Sequence, residues 1–249
     1  MRPRSSVGSE ARAAGRQWGE CRAAGSNARH RSRPAGLPGC SQVTVHTKSP
    51  QAQHVCSRCE AVQSCPPVCR CSWAAGRNTA DCARAGLTAV PQQFRVPLQA
   101  LSLAGNRLVG PGGLGNLGSP ALESLQQLSL ARCALTFLPP TTFSSLTRLT
   151  SLDLSHNNLT SLSPRLLDRV GKLETLLLSG NRLSRLTELQ FPRLVRLARL
   201  DLSGNLLTSI HLTAFANLGP GLRSLDLRGN LLTVLAGPAL RPLTRLQVK

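Results

Sequence analysis

Four cysteines spaced Cys65-x3-Cys69-x-Cys71-x10-Cys82 form the densest chemistry-bearing group in this 249-residue chain. Oxidised, they would close two disulfides in one of three connectivities, among which spacing does not choose. Reduced, four thiolates could hold zinc, although the single residue between Cys69 and Cys71 is tighter than usual zinc pairs. Upstream, Cys56-Ser-Arg-Cys59 with His54 has the outline of half a zinc knuckle but lacks a second pair of its own. Those two cysteines, with Cys21 and Cys40, are read as solvated and without assigned partners. No metal site is expected.

Asp153, Ser155 and His156 have the side chains of a serine hydrolase. A triad also needs convergent geometry, a recess and an oxyanion hole, and three near neighbours on an open strand supply none of these. Gly110-Pro-Gly-Gly113 lacks the Lys-Ser/Thr ending of a phosphate loop and reads as an inter-repeat insertion. No catalytic residue, cofactor or small-molecule substrate is therefore expected. Asn158-Leu159-Thr160 is the one N-x-S/T acceptor in the chain, making Asn158 the candidate for glycosylation in an oxidising compartment.

The elements that must position these groups are written in leucine. Of 46 leucines, 45 follow Cys65, and Leu-x-x-Leu-x-Leu-x-x-Asn/Cys-x-Leu recurs from Leu98, Leu125, Leu149, Leu173, Leu197 and Leu222. The starts are 27, 24, 24, 24 and 25 residues apart, and a shortened seventh copy begins at Leu243. Leucines at positions one, four and six point one way from a short strand, and the residues between them point the other way. The ninth residue, Asn106, Asn157, Asn181, Asn205 or Asn230, carries an amide that donates and accepts inside the coil; Cys133 replaces it in the second copy. Phe143, Phe215 and Leu167 share a later position and should pack on the convex side.

This pattern resembles the leucine-rich repeat. The resemblance implies a solenoid of the α/β horseshoe type, with a parallel sheet on the concave face and a mostly irregular or 3-10 convex side. Such a stack needs a terminal cap, and the cysteine segment is similar to the N-terminal cap of extracellular repeat proteins. Residues 65–97 are read as that cap and 98–249 as repeats. The resemblance implies the pairs Cys65–Cys71 and Cys69–Cys82. Disulfides in turn imply a secreted or cell-surface location. The run Cys71-Ser-Trp73-x-x-Gly76-Arg77-x4-Cys82 is similar to the cap of kekkon-type receptors, single-pass proteins with repeats followed by an immunoglobulin domain.

Residues 1–64 read as a disordered basic leader. The first 62 hold 10 Lys and Arg, 3 Asp and Glu and one leucine, a composition that cannot support a core. No apolar signal stretch precedes Cys65, which conflicts with an oxidised cap; the resolution adopted is that the leader is not the native start. Val248 ends inside a repeat strand, so the chain reads as an ectodomain fragment. The competing reading makes the leader a basic disordered arm that binds nucleic acid, a heparin-like polyanion or a membrane surface. Apolar runs are too short for a membrane span, and seven aromatic residues give no base-stacking platform, so nucleic acid is not the expected partner.

Outward residues of the strands define the candidate binding face. Position three contributes Gln127, Ser151, Thr175 and Arg199; position five contributes Asp153, Leu177, Asp201 and Asp226, with Arg223 and Arg228 beside them. Opposite charges there could pair across neighbouring strands or meet a ligand. The function expected is non-catalytic protein recognition, by a cell-surface receptor, adhesion or signalling-modulator protein binding a protein ligand or co-receptor. A secreted matrix-type or polyanion-binding protein is the alternative.

Overall fold

The computed structural model describes residues 65–247, apart from 75, 76, 111 and 236. The expectations for the leader, including Cys21, Cys40, His54, Cys56 and Cys59, lie outside the described residues.

Eight strands form one sheet. β1 (Arg70–Ala74) and β2 (Arg77–Asp81) make an antiparallel hairpin. β2 then runs parallel to β3 (Ala100–Ser102), and the sheet continues through β4 (Gln127–Ser129), β5 (Ser151–Asp153) and β6 (Thr175–Leu177). Two further short strands, β7 (Arg185–Leu186) and β9 (Ser209–Ile210), pair with each other away from it. The main sheet resumes with β8 (Arg199–Asp201) and β10 (Ser224–Asp226). The rest of each coil is turn and 3-10 structure, as at Gly115–Gly118, Pro120–Leu122 and Gly219–Gly221, with one short helix among the described residues, α1 (Gly237–Leu240). This is the expected repeat solenoid.

Register explains the leucine code. Leu101, Leu128, Leu152, Leu176, Leu200 and Leu225 stand opposite one another along the sheet. The first five are at most 2% exposed. Each fully buried leucine contributes about 1.5–3 kcal/mol, and only by packing against the coils on either side. Phe143, Leu167 and Phe215 are buried on the convex side as expected. Phe191 holds the same place in the fourth repeat and lies 6.1 Å from Phe215, ring to ring.

The asparagines stitch the coils together. Asn181 Nδ2 donates to the carbonyls of Leu154 and Leu178 at 3.0 and 2.9 Å, while its Oδ1 accepts from the Leu159 N–H at 3.2 Å. Asn157, Asn205 and Asn230 repeat the arrangement. Cys133 reproduces the donor half, its Sγ lying 3.2 Å from the Leu103 carbonyl. A thiol is a poor acceptor, and the Leu108 N–H, which an asparagine at 133 would cap, has no acceptor among the described residues. Burial pushes the Cys133 thiol above its usual pKa.

Candidate functional site

The hairpin extends the candidate face beyond the repeats. Thr79 and Asp81 of β2 pair with Ala100 and Ser102, adding one row to the outward surface. The hairpin is held by the bonds Cys65–Cys71 and Cys69–Cys82, one of the three connectivities the spacing allows. All four sulfurs are consumed, so no thiolate there remains for a metal. Inwardly, Ala80 and Cys82 fill the places of Leu101 and Leu103, at 3% and 1% exposure. Thr79-Ala80-Asp81-Cys82 is thus a reduced copy of the strand motif. The signal was present in the sequence, but no leucine marks it.

Two files of outward side chains result. One runs Thr79, Ala100, Gln127, Ser151, Thr175, Arg199 and Ser224; the other runs Asp81, Ser102, Ser129, Asp153, Leu177, Asp201 and Asp226. A shallow concavity covers their first half, lined by Thr79, Asp81, Ser102, Gln127, Ser129, Asp153 and neighbouring residues, with Leu177 at its margin. In a chain of net charge +19, this face carries four carboxylates in one file and a single arginine in the other.

Each of those aspartates first serves its own turn. Asp153 Oδ1 accepts from the Ser155 N–H at 3.0 Å and from Ser155 Oγ at 2.6 Å, and Asp201 does the same with Ser203. Asp81 accepts from the Ala83 N–H at 3.0 Å. This is the Asx turn that closes a strand end. The second oxygen points elsewhere: Asp153 Oδ2 accepts from Ser129 Oγ at 3.1 Å, and Asp201 Oδ2 lies 4.0 Å from Arg199.

Charge pairing stays within one repeat. The Arg228 guanidinium grips both oxygens of Asp226, its NH2 group at 2.6 Å, and this bond holds the Asp226 carboxyl below its ordinary pKa. The alternative of pairing across neighbouring strands is not what the geometry uses, because an Asx turn already aims the carboxylate along its own chain. Arg223 and Arg228 flank β10 and lie outside it. Gln127 and Arg199 are exposed, whereas Ser151, Asp153, Thr175, Leu177 and Asp201 are half-buried between neighbouring rows.

The hydrolase-like trio does not converge. Ser155 bonds directly to Asp153, the reverse of an order in which histidine stands between nucleophile and carboxylate. His156 has φ +55° and its ring lies over Gly180, where an added Cβ would sit 2.6 Å from Nδ1.

Comparison with known proteins agrees with this geometry. The family model described as Leucine rich repeat matches residues 123–183 and 185–248, half of the chain. The chain belongs to the leucine-rich repeat family. No curated protein matches it over its length or in part. Among solved structures, the TLR13–ssRNA13 complex is similar, at 29% identity and a TM-score of 0.55 over 60% of this chain. Only 20% of that chain is matched, so this chain spans about a fifth of its length. In all, 341 solved chains match, so the fold by itself selects no ligand. Domains of this family are recognition modules, and the expectation against nucleic acid draws no support from a neighbour solved with ssRNA13.

Proposed function

We propose that the chain is the recognition module of an extracellular or cell-surface protein, and that it binds a protein ligand on the concave sheet. The observation that carries this reading is the carboxylate file on the open face of an otherwise cationic molecule, in which Asp81, Asp153 and Asp201 are free of the two-oxygen grip by which Arg228 takes up Asp226. Their turn-capping bonds fix the side chains in advance, so a ligand meets them with little entropy left to lose. The partner that fits is a protein surface bearing Lys or Arg, with a small polar region over Ser102, Ser129 and Ser151.

The disulfides support an oxidising compartment, and the hairpin serves as the cap of the first coil. The Cys71-Ser-Trp73 and Gly76-Arg77 residues favour a receptor of the kekkon type as the finer reading. Asn158, half-buried with Thr160 exposed after it, is the glycosylation site in that setting.

The test is a binding screen of the secreted chain against an array of extracellular domains, repeated with Asp153→Arg and Asp201→Arg. Partners lost with those substitutions and kept with Thr136→Arg on the convex side support the reading. Partners insensitive to both aspartates, or free thiols at Cys65, Cys69, Cys71 and Cys82 in the secreted chain, would overturn it.

A further inference from the structure

We infer that the flank of the third, fourth and fifth repeats is a binding site for a sulfated polysaccharide, separate from the concave face. The strands of these repeats are in register, Ser151 with Thr175 with Arg199. Three residues before each of these stand Arg148, Lys172 and Arg196, one cation per coil at one structural position. The turn that carries them is the same in every case. The N–H groups of Leu149, Leu173 and Leu197 donate to the carbonyls of Leu146, Val170 and Leu194, at 3.0 Å in each coil. Residues just before these turns add Arg169 and Arg193 to the fourth and fifth repeats. All five cations are exposed.

These charges have no ion-pair partner among the described residues. Among the described residues, the ion pairs are Arg199 with Asp201 and Arg228 with Asp226, and neither involves the flank. The nearest carboxylates in sequence, Asp168 and Glu174, are two against five. Neighbouring coils stand about 4.8 Å apart at the sheet, so like charges stacked one per coil repel within a Debye length of about 8 Å. The arrangement therefore costs the free fold something, and an anion laid along the file removes that cost. The matching turns of the other repeats are different: Glu123 and Ser124 occupy the second, and Gly221 precedes Leu222 in the sixth.

The geometry asks for a linear polyanion with closely and regularly spaced charges. A single-stranded nucleic acid would also want aromatic platforms for its bases. Phe191 and Phe215, the phenylalanines of the fourth and fifth coils, are fully buried, the third coil has none, and the 62%-exposed Phe137 belongs to the second. The disulfides place the chain where sulfated polysaccharides occur. The acidic concave face repels such a ligand, so the two surfaces divide the partners by charge. This site rests on the extracellular location of the proposed function but not on its protein ligand, and either binding surface can fail alone.

The experiment is retention of the full chain on immobilised heparin, with a size-defined heparin oligosaccharide for titration. Arg148→Gln, Lys172→Gln and Arg196→Gln together should cut affinity at least tenfold at physiological salt. They should also lower the dependence of log Kd on log salt by about two to three, one contact per cation. The lysine-for-arginine pair Arg148→Lys and Arg196→Lys should keep most of the binding, and thermal melts of all variants should match the parent, because the residues are exposed. Neutralising Arg2, Arg4 and Arg12 in the leader should leave retention unchanged. Unaltered retention in the triple variant, or loss confined to the leader variant, would overturn the site. Displacement of heparin by poly(U) of equal charge at equal concentration would overturn it in favour of nucleic acid.

Discussion

The carbonyl of Cys82 accepts a hydrogen bond from Asn106 Nδ2 at 2.8 Å, the same bond that Leu130 receives from Asn157 farther along the stack. Cys82 is therefore an inner residue of a coil as well as a disulfide partner of Cys69. The two roles separate by mutation. Cys69→Ala removes a cross-link closing a short loop, worth about 3 kcal/mol. Cys82→Ala removes the same cross-link and a sulfur packed at 1% exposure, and should cost about 1 kcal/mol more. Urea unfolding of the two variants measures the difference; equal costs would mean that Cys82 contributes nothing as packing.

The asparagine ladder should be the least forgiving polar feature. Asn181→Ala orphans the Leu159 N–H in a buried seam and takes one of two donors from each of the Leu154 and Leu178 carbonyls, which keep their bonds from Asn157 and Asn205. With one orphaned donor at about 1–3 kcal/mol and two carbonyls that keep a partner, a loss of about 2 kcal/mol is expected. Chemical denaturation checks it, and a loss under 1 kcal/mol would show that water takes over the bonds.

At position 133 the opposite change should help. Cys133→Asn supplies the acceptor that the Leu108 N–H lacks and should stabilise the fold by about 1 kcal/mol at neutral pH. Burial raises the Cys133 thiol in the folded state, so its contribution is fully present below the unfolded thiol pKa of about 8.5. It is lost as pH rises toward the folded value. The stability gap between parent and variant should consequently widen above about pH 8.5, read from urea midpoints at a series of pH values. A gap that narrows there would contradict this assignment.

Gly180 cannot take a side chain. Its φ of +65° disfavours any L-residue by about 1 kcal/mol, and the His156 ring occupies the space a Cβ would need. Gly180→Ala should cost about 2 kcal/mol, the backbone part remaining and the steric part vanishing when His156 is also changed to Ala. A double-mutant cycle on thermal stability resolves the two parts, and strict additivity would show that the ring moves aside freely.

The repeat architecture was legible from periodicity because leucine spacing states both strand direction and inward face. Legible too were the ladder asparagines, since only an amide at that position serves both neighbours. Three things were hidden. β2 carries no leucine mark because Ala80 and Cys82 stand in for leucine, and a hairpin held by disulfides need not bury as much apolar surface to stay in place. Phe191 shares its slot with Phe143 and Phe215, yet the irregular convex turns around it carry no period to count from. The direction of the aspartates was invisible, since an Asx turn depends on the following residue's N–H, which every sequence supplies. The two alternating files of outward residues follow from the strand period, whereas the Thr79–Asp81 row and the local charge pairing depend on packing and turn geometry that the period does not encode.

Coils that touch only their neighbours are links in series, and this has a mechanical side. Stretched between its ends, such a chain yields link by link, and each 24-residue repeat released adds about 80 Å at full extension. The hairpin is exempt, because Cys69–Cys82 shortcuts the segment that would otherwise pay out. A molecule held by that end and pulled at a ligand would lengthen in even steps while its anchorage kept its shape.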